Sequence, residues 1–236
     1  MPRIKLLIRR NEKPIMMKKL INLLIISLLM GNISIAQQGT KAEAILDKLA
    51  EKNKSYETIQ ADFNVKYKNL QGGQTTTHEG GSIVMKGDKY KLKLNKSTIY
   101  YNGKTQWNHM RTVNEVNISE PVQDKEKQDI INHPNKLFEL YKNDFKYKYL
   151  EKVQKNGQSY HKIDLYPKDL DKDYSRIRLF VKAEDVQIHS AKIYGKDGSR
   201  YTIIIKNMEV NKEVSDSTFV FNKKEHPNVE VIDMRF

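Results

Sequence analysis

The stretch Lys89-Tyr90-Lys91-Leu92-Lys93-Leu94 decides the fold. Its apolar members Tyr90, Leu92 and Leu94 fall on one side of an extended chain and its lysines on the other, because side chains along a strand alternate with a period of two. A strand with one dry and one wet face belongs to an antiparallel sheet covered on one side only. Upstream, Ser82 to Lys86 leads through Gly87-Asp88 into this strand. Earlier still, Phe63, Val65 and Tyr67 alternate with polar residues before Gly72-Gly73 turns the chain. Downstream, Asn102-Gly103 is the strongest hairpin signal, since both central residues of a type I′ turn need positive φ. It joins Thr98 to Tyr101 with Lys104 to Val113 and places Trp107 in mid-strand.

Strand-like runs continue over Lys146 to Val153, Ser159 to Tyr166, Arg176 to Lys182, Val186 to Tyr194, Arg200 to Lys206 and Ser217 to Asn222. Helical spacing occurs twice. Thr40 with Glu43 forms a capping box ahead of Ala42, Ile45, Leu46 and Leu49, which recur at the i, i+3, i+4, i+7 positions of one helix face. After the polar interval Glu120 to Asn132, Asn135 caps a second, short helix that presents Leu137, Phe138 and Tyr141. The expected class is mostly β (α+β): one antiparallel sheet of roughly nine to eleven strands with two or three helices.

The first 36 residues differ in kind. Lys18 and Lys19 precede an apolar run from Leu20 to Met30, and Ser34-Ile35-Ala36 supplies small residues at the cleavage positions, the pattern of a secretory signal peptide cut after Ala36. The run falls short of the roughly 20 residues that a membrane span needs. The polar stretch Arg9 to Pro14 is an odd preface to such a leader, so translation from Met16 or Met17 is an alternative start. The leader is thus 1–36 and the remaining 37–236 form a single domain, with export to the periplasm expected. The chain has no cysteine, so neither a disulfide nor a cysteine-linked lipid anchor is available. The chain's formal charge is +13, but the leader holds seven Lys/Arg and one Asp/Glu; the mature part keeps 35 basic against 28 acidic residues, or +7. That excess attracts anionic head groups, although lysines alternating along strands also make an ordinary solvated face. Nucleic acid is not an expected partner outside the cytoplasm.

No catalytic or metal pattern stands out. The six histidines, His78, His109, His133, His161, His189 and His226, never fall three to five residues apart, which argues against zinc. Asp169, Asp171 and Asp173 imitate the start of a calcium loop, but Tyr174 and Phe180 stand where glycine and glutamate are required. Neither a Gly-x-Ser-x-Gly elbow nor a phosphate-cradling glycine loop occurs. No cofactor and no enzymatic activity are expected. Residues on distant strands can still converge into an unfamiliar active site, which keeps an enzyme as the third reading.

Several segments resemble a known family in order and spacing. Tyr100-Tyr101-Asn102-Gly103-Lys104-Thr105-Gln106-Trp107 resembles the Asp-Gly-x-x-x-Trp hairpin of the periplasmic outer-membrane lipoprotein carriers, the LolA family. His133-Pro134-Asn135-Lys136-Leu137-Phe138 resembles their Asn-Pro helix start. Asp197-Gly198 to Thr202, Asn211, Phe219-Val220-Phe221 and His226-Pro227-Asn228-Val229-Glu230-Val231 follow the family's closing order. Three positions depart from it: Gly87-Asp88 replaces an Arg-Pro associated with holding the lid shut, Phe63-Asn64-Val65 replaces Phe-x-Gln, and Asn228 replaces the tail glycine.

The resemblance implies an incomplete antiparallel barrel lidded by helices over an apolar cavity. It also implies a monomeric chaperone that takes acylated lipoproteins from an inner-membrane releasing transporter to the outer membrane or its receptor. On that reading the cavity is lined from the sheet by Tyr90, Leu92, Leu94, Trp107, Ile163, Leu165, Ile177, Leu179, Val181 and Ile203, and from the lid by Leu137, Phe138 and Tyr141. Two alternatives stay open: a closed core under tightly packed helices, and a periplasmic sensor of lipid or lipoprotein that acts on a membrane-bound regulator. A one-residue register error would invert the face assigned to each strand.

Overall fold

The computed structural model describes residues 39–70, 75–120 and 144–235. The expected leader, its cleavage site and the lid helix carrying Leu137, Phe138 and Tyr141 therefore lie outside the described residues. Two meanders build the sheet. The first runs through β1 (Thr58–Asn69), β2 (Thr75–Lys86), β3 (Lys89–Lys93), β4 (Ser97–Tyr101), β5 (Gln106–Met110) and β6 (Glu115–Ser119). The second runs through β7 (Phe145–Lys155), β8 (Gln158–Pro167), β9 (Tyr174–Lys182), β10 (Ile188–Gly195) and β11 (Ser199–Val210), and β12 (Glu230–Asp233) follows.

Long-range pairing of β1 with β11, from Ile59 opposite Val210 to Asn69 opposite Ser199, fuses the meanders into one sheet in the order β12-β6-β5-β4-β3-β2-β1-β11-β10-β9-β8-β7. All pairs are antiparallel except β12 with β6. The sheet stays open. The mostly β architecture is the one expected, with twelve strands against the anticipated nine to eleven. Helix α1, residues 39–54, is the one α-helix among the described residues and lies on one face of the sheet.

Two local readings are corrected. The Asn102-Gly103 hairpin is a four-residue turn in which Tyr101 pairs with Gln106 and only Gly103, not Asn102, has positive φ. The Asn102 carboxamide accepts from the amides of Lys104 and Thr105 at 2.9 and 2.8 Å, and its own amide donates to the Thr105 carbonyl at 3.2 Å, so side chain and backbone together close the turn. The strand expected to run to Val113 stops at Met110, and Asn114, at φ 55, turns the chain into β6. Ser217 to Asn222 is not a strand either. Asp216–Phe219 forms a 3₁₀ turn capped by Ser215, and it buries Phe219 completely.

Gly81 pairs with Phe63 where β1 bulges, and the Phe63 ring lies over the glycine. A Cβ there would sit 2.6 Å from the ring and 2.8 Å from the Lys93 carbonyl oxygen. Because the second neighbour is backbone, relaxation is limited. Gly81→Ala is expected to cost about 1–3 kcal/mol in urea denaturation; a neutral result would mean that the bulge moves freely.

Candidate functional site

Antiparallel partners share a face, so the register assigns every side chain. On β3 to β5, Tyr90–Tyr101–Gln106 and Leu92–Ile99–Asn108 form cross-strand rows. On the other half, Tyr149–Ile163–Leu179–Ala191–Ile203–Val65 and Tyr147–Leu165–Ile177–Ile193–Tyr201–Tyr67 form two more. The apolar members of these rows, with Ile59, Ala61, Phe63, Ile83 and Met85, merge with Ala42, Leu46 and Leu49 of α1 into one apolar layer. The helix lies there because its spaced apolar residues make one dry stripe that packs on the apolar face of the sheet.

Of the residues expected to line a cavity, Tyr90, Leu92, Ile163, Leu165, Ile177, Leu179 and Val181 are buried in this layer, and Leu94 and Ile203 pack against it. The Tyr90 hydroxyl donates to Gln106 Oε1 at 3.1 Å, and burial pushes its pKa well above the ordinary phenol value. A neutral phenol suits an apolar site. Towards the β5–β6 end the same face becomes polar through Gln106, Asn108 and Asn117.

Trp107 is a correction. It pairs with Tyr100 and Ile118, not with the Tyr101 row, and so packs on the opposite face with Val116, Phe221 and Val229. The misplacement came from reading Trp107 as one more core aromatic without carrying the face across the β4–β5 turn.

Sequence reasoning also missed what holds the helix down. The Lys52 ammonium donates to the Asp185 carbonyl in the β9–β10 turn, and Lys41 lies 4.1 Å from the Tyr149 ring centroid. These two cations pin opposite ends of α1 to the second meander. At its C-terminal end the helix borders a cleft of about 250 Å³ lined by Ala50, Tyr56, Ile59, Met85, Gly87 and Asp88. Gly87-Asp88, the departure from the family's Arg-Pro, thus stands beside the C-terminal end of α1. The sequence signal for this latch was weak, because a lysine on a helix is ordinarily solvated.

On the opposite face, the C-terminal segment is clamped by aromatic stacking. Phe221 stacks on His226 at 5.2 Å, and His109 lies 4.5 Å from His226. Burial, the His226 ring and Arg111 lower the His109 pKa. His161 and His189 are also lowered, in each case chiefly by burial. A histidine held below its unfolded value of about 6.5 contributes stability that is complete above that pH and is lost as pH falls below it. The melting temperature is therefore expected to drop on going from pH 7.5 to pH 5.5 by roughly several degrees. His109→Phe, which keeps the stacking and cannot protonate, should show a smaller drop; an unchanged drop would remove His109 from the cause.

The chain matches the model of the family described as outer membrane lipoprotein carrier protein LolA over residues 54–222. No curated protein matches it. Among solved structures, it resembles an uncharacterized conserved protein from Thermus thermophilus with a TM-score of 0.52 at 12% identity, covering 82% of this chain and 99% of that one. A putative outer membrane lipoprotein-sorting protein domain from Vibrio parahaemolyticus gives a TM-score of 0.44 at 11% identity, covering 80% and 98%. The LolA superfamily protein NE2245 from Nitrosomonas europaea gives 0.40 at 13%, covering 76% and 97%. At such identities likeness extends to the fold alone. The family model spans both meanders in full, including the strands that build the apolar layer, and the chain therefore belongs to the outer membrane lipoprotein carrier protein LolA family.

Proposed function

We propose that the mature protein, from Gln37, is a periplasmic chaperone that holds the acyl chains of lipoproteins between the sheet and α1. It would receive them from an inner-membrane releasing transporter and carry them to the outer membrane or its receptor. The observation that carries this reading is the continuous apolar face of an open sheet on which, among the described residues, one amphipathic helix packs. Lipid enters when α1 lifts, because Tyr90, Leu92, Leu179 and Val181 are otherwise closed over. Each enclosed CH₂ is worth about 0.8 kcal/mol. Full enclosure of several chains would exceed the roughly 20 kcal/mol at which noncovalent affinity saturates and would prevent release. The energy spent on lifting the helix brings the net affinity into a range where cargo can be handed on.

Native mass spectrometry of protein taken from the periplasm tests the proposal: bound lipid or lipoprotein is expected. A stoichiometric protein regulator without lipid would replace the carrier by a sensor. The latch gives a second test. A charge-assisted hydrogen bond is worth about 1.5–3 kcal/mol, and closing the lid lowers apparent affinity by the fraction of molecules that are open. Lys52→Met is therefore expected to tighten binding of a fluorescent fatty acid by roughly tenfold while lowering the melting temperature. Unchanged binding would show that α1 is not the lid.

A further inference from the structure

The face opposite α1 concentrates the protein's positive charge. One cross-strand row traverses β7 to β1, Lys148–Asp164–Arg178–Lys192–Thr202–Lys66, and beside it lie the pair Lys146–Tyr166 and the row Arg176–Tyr194–Arg200–Lys68. Eight of these residues are cationic and one is anionic, an excess of +7 that equals the whole formal excess of the mature chain. The charge is therefore not spread as a uniform solvated surface.

Its centre is Tyr194. Arg176 lies 4.1 Å, Arg200 4.9 Å, Lys192 5.2 Å and Arg178 5.6 Å from the ring centroid. The buried carboxylate of Asp164 neutralises Arg178 through bonds of 2.6 and 2.8 Å and reaches Arg176 at 3.4 Å. Asp197, in the turn beyond Tyr194, accepts from the Ser199 amide at 2.9 Å. At the margins, Lys66, Lys68, Lys146 and Lys148 are exposed and form no ion pair among the described residues.

We propose that this strip docks the protein onto the anionic phospholipid surface of a membrane, with Tyr166 and Tyr194 at the level of the head groups. Six strands spaced at about 4.8 Å make it about 24 Å long. A single phosphate ligand calls for converging donors, whereas cations distributed over such a length match a surface that carries many separate phosphates. Tyrosine, with an apolar body and a polar tip, suits the interface between head groups and acyl chains. Docking by this face directs the helix-covered face away from the bilayer, so α1 is free to lift and exchange its contents with a partner protein. The inference goes beyond the carrier reading and is tested separately from it.

The test is sedimentation of the mature protein with vesicles of phosphatidylcholine alone and of phosphatidylcholine mixed with phosphatidylglycerol, at low and at physiological salt. One variant combines Lys66→Gln, Lys146→Gln and Lys148→Gln. A control of equal charge change combines Lys48→Gln, Lys212→Gln and Lys224→Gln, all exposed and away from the strip. Wild type and control are expected to bind only the vesicles with phosphatidylglycerol, more weakly as salt rises. Each basic residue near an anionic surface is worth roughly fivefold, so the strip variant should lose on the order of a hundredfold in partitioning. Its circular dichroism and its binding of a fluorescent fatty acid should be unchanged. The proposal is overturned by equal binding to both vesicle types, by an equal loss in the control, or by inorganic phosphate abolishing binding at constant ionic strength, which would assign a free phosphate site.

Discussion

Leu92→Glu is expected to destabilise the unliganded protein by several kcal/mol. Leu92 is 2% exposed and lies between Ile83 and Ile99 in cross-strand register, beneath the layer that α1 completes. An uncompensated carboxylate in such surroundings either stays charged at high cost or takes up a proton, and a domain of this size has only about 5–15 kcal/mol to lose. Urea denaturation measures the loss. Acyl-probe binding on the same variant should fall as well, because the charge sits in the proposed lipid path. A loss below about 1 kcal/mol would mean that water already reaches Leu92 and that the site stands open without cargo.

Arg178→Met is expected to cost about 3 kcal/mol, the second large effect. The Asp164 side chain is 1% exposed, and Arg178 supplies its two short hydrogen bonds. Among the described residues, removal leaves it Arg176 at 3.4 Å and the Tyr166 hydroxyl at 3.3 Å. The cost arises from the stranded carboxylate and not from the value of the pair itself, so adding Asp164→Leu to Arg178→Met should recover most of the loss. A double variant as unstable as the single one would show that the ion pair organises β8 and β9 in some further way.

The contrast between these sites reflects how much of each could be read from the chain. Leu92 is legible from Lys89 to Leu94, because strict alternation leaves one assignment of wet and dry faces. Asp164 is not, since Ile163-Asp164-Leu165 looks like one more surface carboxylate between two core residues. Its burial arises from Arg176 and Arg178 folding over it from the neighbouring strand. Trp107 failed for a related reason: its strand was recognised, but its face depends on pairing with Tyr100.

By itself the sequence determined what rests on local periodicity: β3 to β5 and β7 to β11, the amphipathic helix from Thr40, the one-sided apolar sheet and the resemblance to lipoprotein carriers. Period and turn chemistry are properties of neighbouring residues, and so they survive without coordinates. Only the tertiary structure decided the pairing of β1 with β11, the latch from Lys52 to the Asp185 carbonyl and the gathering of cations around Tyr194. Each joins residues far apart in the chain, and such contacts form only after long loops are closed, at an entropic cost that local sequence does not encode.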